Sequence, residues 1–140
     1  MKLELKHLAP YLPYNIQVQR LTDNPDWRPI EILNEETIQF WYAHNWERVY
    51  YKPILHPLSD LTKEIEVNEE KFVPIVEIGR MRPTGFQWTY YEEDNLLGSY
   101  DYDVRRIRGA TLDQYQKLFE WHFDVFNLIP NGLAIDINTL

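Results

Sequence analysis

The chain of 140 residues carries 22 acidic against 14 basic side chains, a formal charge of -8, with 44% hydrophobic and 15% aromatic residues. That length fits one domain spanning residues 1–140, and the apolar share is enough for a packed core despite a mean hydropathy of -0.50. The charge disfavours a groove that tracks a phosphate backbone by charge alone, the lack of cysteine removes disulfides and thiol chemistry, and no apolar run reaches signal-peptide or membrane-span length. The expected location is the cytoplasm.

At the start, Leu3, Leu5, Leu8 and Leu12 predict a short amphipathic helix that Pro10 and Pro13 limit. Tyr14, Ile16 and Val18 then alternate with polar residues, the period of a half-buried strand. Asn24-Pro25-Asp26 marks a turn, Ile30 and Ile32 a second strand, and Asn34-Glu35-Glu36 a further turn. The run TIQFWYAHNWERVYYKPIL, rich in aromatic and β-branched residues, predicts two antiparallel strands joined near His44-Asn45. Its Trp41, Tyr42, Trp46, Tyr50 and Tyr51 are too many to face inward together, so an exposed patch including Trp41 and Trp46 is expected.

HPLSDLTKEIEV predicts a two-turn helix opened at Pro57 or Ser59, with Leu58, Leu61 and Ile65 on one face. After it, Asn68-Glu69 fits the turn of a hairpin and Pro74 the start of a helix carrying Ile75, Val76 and Ile78. From Gly85, FQWTYY and the stretch around GSYDYDV predict strands flanking EEDN. Thr111 and Gln114 form a Thr-x-x-Gln capping box that opens a long helix, closed by Asn131-Gly132, and LAIDINTL ends the chain on a strand. The fold expected is α+β, an antiparallel meander with a short amino-terminal helix, one or two short middle helices, a long carboxy-terminal helix and a short final strand.

Glu120, His122 and Asp124 look like a ligand set, but 100° per helical residue turns His122 away from the two acids. His122 shares its stripe with Tyr115, Leu118, Phe119, Phe126 and Ile129, which predicts a core-edge histidine with one hydrogen bond and leaves Glu120 and Asp124 on a solvated face. His56 and Asp60 flank the predicted middle helix and are close enough to touch. Asp60 also serves simply as a favourable charge in a helix's first turn. Asp101 and Asp103 lack the glycine and terminal glutamate of a calcium loop, and no phosphate loop, nucleophile elbow or zinc-protease helix is present. No catalytic residue, metal site or cofactor is expected.

Arg105, Arg106 and Arg108 form one basic cluster, and Arg80 and Arg82 another just before Trp88, Tyr90 and Tyr91. Arginine beside aromatics suits the hot spots of a protein interface or, with stacking, a nucleic-acid strand. The same arginines also neutralise Glu92, Glu93, Asp101 and Asp103. The acid-rich segments around residues 64–70 and 92–103 offer the reverse possibility, imitation of a phosphate backbone before a basic protein.

The phrases HLAPYLPY, KPILHPLSDLTKEIEVNEEKFVPI and LFEWHFDVFNLIPNGLAIDINTL resemble those of a group of small proteins encoded by phages and prophages of Bacteroidota. That group carries no assigned catalytic motif and transfers no functional residues. What the resemblance implies is small phage cargo, which often acts by binding host proteins, defence nucleases among them. The expectation is therefore a non-enzymatic accessory protein that binds a host or phage protein through Trp88, Tyr90, Arg105, Arg106 and Arg108, with Trp41 and Trp46 as a second patch. A nucleic-acid accessory role on the same residues and a small hydrolase on His56 or the acidic cluster are the alternatives.

Overall fold

The structure is a computed structural model and describes residues 2–43, 51–80, 90–91, 96–97 and 112–140. Its first element is the helix α1, Leu5–Leu8, continued by a 3-10 stretch over Ala9–Tyr14. The Glu4 N–H donates to His7 Nδ1 at 2.9 Å and closes the first turn, while Leu3, Leu8 and Tyr11 face the core. Asn15, in the left-handed region at φ 55, turns the chain into strand β1, Gln17–Arg20. The alternation read from the sequence holds there, with Ile16 and Val18 fully buried and Gln17 exposed.

Strand β2, Ile30–Ile32, pairs antiparallel with β1, and β3, Tyr51–Leu55, pairs antiparallel with its other side. Pro53 is tolerated in β3 because it faces Val18, whose own N–H and C=O point to β2. The last strand, β8 (Ile135–Asp136), lies parallel to β3 and completes a sheet of order β2-β1-β3-β8.

The first half of the aromatic run is not a strand. Glu35–Ala43 form the helix α2, because Asn34 caps it: its Oδ1 accepts from Thr37 N–H at 2.9 Å and from Thr37 Oγ1 at 3.0 Å. Glu35 and Glu36 favour the first turn, and Leu33, Thr37 and Trp41 recur every fourth residue on the buried side. Capping and helical spacing override the strand propensity of the aromatics. Trp41, expected in an exposed patch, is 1% exposed and packs its ring 5.5 Å from that of Tyr51.

A 3-10 helix over Leu58–Thr62 stands where a two-turn α-helix was expected. β4 (Ile65–Val67) and β5 (Glu70–Phe72) then form the hairpin, with Asn68 and Glu69 at φ 52 and 68, the positive pair of a two-residue turn. Pro74 does open a helix, α3, Pro74–Arg80. Of the later hairpin, β6 (Tyr90–Tyr91) pairs antiparallel with β7 (Leu96–Leu97) on either side of EEDN, and GSYDYDV lies outside the described residues.

The carboxy-terminal helix is short: α4 covers Leu112–Glu120. It stops because His122 takes φ 60, the His122 N–H donates to Phe119 O at 3.0 Å and the Phe123 N–H to Leu118 O at 2.9 Å. This is a Schellman closure with histidine in the position usually held by glycine, and Leu118 and Phe123, both fully buried, supply its apolar contact. The residues that follow run as turns, with Asn127 at φ 61 and Gly132 at φ 72.

Two apolar clusters result. One joins α1, β1, β3, α2 and Leu128 to Ala134 around Tyr11, Val18 and Trp41. The other joins the middle 3-10 helix, α3 and α4 around Leu61, Ile78 and Phe123. Tyr11 links them, donating its hydroxyl to Phe123 O at 2.5 Å and accepting from Val125 N–H at 3.3 Å. The architecture is mixed α+β with antiparallel strands, as expected, without the long final helix. Among the described residues no helix is long and apolar enough to cross a membrane.

Candidate functional site

Where β3 ends, His56 joins residues 122–124: its N–H donates to His122 O at 2.8 Å and its C=O accepts from Asp124 N–H at 2.9 Å. That fixes the backbone under the imidazole, which lies 5.3 Å from the Phe123 ring. Asp60, on the 3-10 turn, places Oδ2 2.9 Å from His56 Nδ1 and is almost fully buried. Asn138 Nδ2 donates to both carboxylate oxygens, at 3.2 and 2.9 Å, and Lys63 Nζ stands 3.7 Å away. His56 and Asp60 thus do touch, and Asp60 is a buried anchor rather than only a charge in a first turn. Nε2 of His56 has no hydrogen bond among the described residues. The arrangement orients an imidazole for proton transfer and also pins the carboxy terminus to β3.

His122 and Asp124 serve structure. His122 Nε2 donates to Tyr14 O at 2.7 Å, and burial lowers the pKa of its imidazole. The expected single hydrogen bond is present, although the ring owes its position to the left-handed turn and not to a helical stripe. Asp124 is the correction: it is 3% exposed, not solvated, and accepts from Leu128 N–H at 2.7 Å and Ile129 N–H at 2.9 Å. Burial nevertheless raises the pKa of its carboxyl, against those two donors. Glu120 pairs with Lys117 at 2.7 Å, and among the described residues no three metal-ligating side chains converge.

The other feature lies at the sheet edge. Glu31 faces Val18 in register, and the bonds Arg20 N–H to Pro29 O and Leu33 N–H to Ile16 O bracket that pair. Alternation along an antiparallel ladder therefore points the N–H and C=O of Ile30 and Ile32 away from β1, toward the open edge. Their side chains lie on the face opposite Val18 and are 47% and 52% exposed. The usual pattern is inverted, because the register that carries Leu33 into the core turns the isoleucines outward.

On the Glu31 side, Arg20 Nη2 bonds Glu31 Oε1 at 2.7 Å, and the guanidinium carbon lies 6.0 Å from the Trp27 ring and 5.8 Å from the Tyr51 ring. Arg20 Nε is buried and has no hydrogen-bond partner among the described residues. Beside it opens a cleft of about 510 Å³ lined by Arg20, Leu21, Glu31, Asn34, Glu36, Thr37 and Tyr51. Trp27 stands 56% exposed at this edge.

Of the residues expected to bind a partner, Trp46, Trp88, Arg105, Arg106 and Arg108 lie outside the described residues, as do His44, Arg82, Asp101 and Asp103. Tyr90 belongs to β6, and Trp41 is in the core. Sequence reasoning missed Trp27 and the exposure of Ile30 and Ile32, since Ile-Glu-Ile reads the same whichever face is buried. Comparison with protein-family models, curated proteins and solved structures gave no match.

Proposed function

We propose that the chain is a protein-binding module whose partner docks on the open edge of β2. The observation that carries this reading is that one edge strand combines backbone groups left unpaired among the described residues with two exposed isoleucines. Outward backbone groups on an edge strand can pair with an added strand, and the exposed side chains beside them give that pairing its specificity. The phage-like phrases in the sequence support a non-enzymatic accessory role, with a host or phage protein as partner and the host cytoplasm as compartment; inhibition of a defence or nucleic-acid-processing protein is the form this takes. Trp88, Tyr90, Arg105, Arg106 and Arg108 remain candidate contacts within the same reading, or for nucleic acid. The test is affinity purification from host lysate with the wild type and with Ile30→Lys/Ile32→Lys. A stoichiometric protein, stable to nuclease and lost with the double variant, is expected. The same protein captured equally by both forms would remove β2 from the interface.

A second reading, a small hydrolase using His56 as base, is favoured by the 2.9 Å contact between His56 Nδ1 and Asp60. It requires that hydrolysis of ester substrates by the purified chain disappear in His56→Gln; activity unchanged in that variant excludes it.

A further inference from the structure

We infer that the segment bound at β2 is an extended strand of alternating apolar and basic residues, added antiparallel, with a lysine or arginine facing Glu31. This rests on the reading of β2 as the docking edge and specifies the chemistry of what docks there.

The register follows from the outward backbone groups. Ile30 and Ile32 make the hydrogen-bonded pairs with an incoming antiparallel strand, and Glu31 falls in the non-hydrogen-bonded pair between them, where Cα atoms approach to about 4.5 Å and side chains meet most closely. Residues facing Ile30 and Ile32 share their face, so burying those isoleucines calls for apolar partners such as valine. The residue facing Glu31 lies on the cleft side, beside Glu31 and Glu36.

Charge selects that residue. Along residues 21–36 the acids are Asp23, Asp26, Glu31, Glu35 and Glu36, and Arg28 is the basic residue among them. Asp23, Asp26, Glu35 and Glu36 are exposed and flank both ends of β2. Arg20 is already held by Glu31 through Oε1 and lies near two aromatic rings. A cation opposite Glu31 completes the carboxylate's bonding, whereas an anion meets a second and third carboxylate at short range. A second copy of the chain fits poorly for the same reason. In the register that pairs Ile30 of each copy with Ile32 of the other, the two Glu31 side chains stand against each other, between bodies that each carry -8.

Fluorescence anisotropy with dye-labelled peptides tests this. One probe alternates valine with lysine, a second alternates valine with glutamate, and a third holds the lysine composition in scrambled order. The alternating lysine peptide is expected to bind the wild-type chain saturably, at least about tenfold more tightly than the glutamate peptide, the scale that reversal of a close charge pair sets. Glu31→Lys and, independently, Glu36→Lys should each narrow that preference, and Ile30→Lys/Ile32→Lys should abolish binding. Unchanged circular dichroism and melting temperature confirm the fold of each variant. Equal binding of the lysine and glutamate peptides, or of the alternating and scrambled ones, overturns the inference. If the peptides fail while lysate capture still depends on Ile30 and Ile32, the chemistry assigned to the strand is wrong and the docking edge stands. If neither depends on those isoleucines, both fall.

Discussion

Val18 and Glu31 face each other across the β1–β2 ladder, one fully buried and the other ion-paired to Arg20 at the lip of a cleft. An edge strand that puts a carboxylate on the core side and isoleucines outside contributes little apolar burial of its own. Ile30→Thr and Ile32→Thr, which retain β propensity, should therefore shift unfolding free energy by no more than about 0.5 kcal/mol each, as surface changes do. Val18→Ala should cost roughly 2 kcal/mol by leaving a cavity in the sheet's packed face. Urea unfolding of the three variants makes the comparison, and a large loss at either isoleucine would mean that the edge is covered.

Trp41 separates a core role from a surface role. Its indole is 1% exposed and packed with Tyr51, so Trp41→Ala should destabilise by about 3–5 kcal/mol. Trp27→Ala, at a residue 56% exposed, should leave stability nearly unchanged and weaken partner capture. Thermal melts and capture assays on the pair would show the opposite ranking if Trp41 were the surface residue.

Asp124 holds the turn after α4 by accepting from two backbone N–H groups. Asp124→Ala orphans both and should cost roughly 2–4 kcal/mol. His122→Asn keeps a residue at ease in the left-handed region but loses the bond to Tyr14 O, for about 1 kcal/mol. Guanidinium titrations of both variants check the order.

Acid should weaken the fold through two histidines. Burial lowers the imidazole pKa of both His7 and His122 from the ordinary value of 6.5. The folded chain thus binds these protons less readily than the unfolded chain, so their contribution is fully present above pH 6.5 and falls as pH drops below it. For His7 the protonated ring also forfeits the bond that its Nδ1 accepts from Glu4 N–H. Asp124 acts in the opposite sense: its carboxyl pKa is raised, so its contribution is greatest at low pH and is lost as pH rises through the folded-state value. Urea midpoints should decline from about pH 7.5 to about pH 5.5, across the range where histidine titrates, and His122→Asn should flatten that decline. A midpoint unaltered by pH in the wild type would contradict both assignments.

The sequence displayed the parts of the fold that local rules govern. Ile16 and Val18 alternate and are buried, Asn68-Glu69 turns a hairpin, Pro74 opens a helix, and Asp60 meets His56. It concealed what depends on competing signals. Asn34 with Thr37 is a cap sitting in front of aromatics that favour strands, and the cap prevailed. His122 ends α4 in the left-handed conformation, with Leu118 and Phe123 buried together at the closure, so the helical stripe drawn through Phe126 and Ile129 had no helix beneath it. The candidate edge was legible as a strand but not as a surface, because its outward face follows from pairing with β1 and from the burial of Leu33.

Amide hydrogen exchange at Ile30 and Ile32, with and without a captured partner, tests the central claim most directly. If β2 is an open docking edge, both amides exchange rapidly in the free chain and slow by at least about tenfold in the complex, as newly bonded edge amides do. Amides already protected in the free chain, or still fast in a saturated complex, would contradict it.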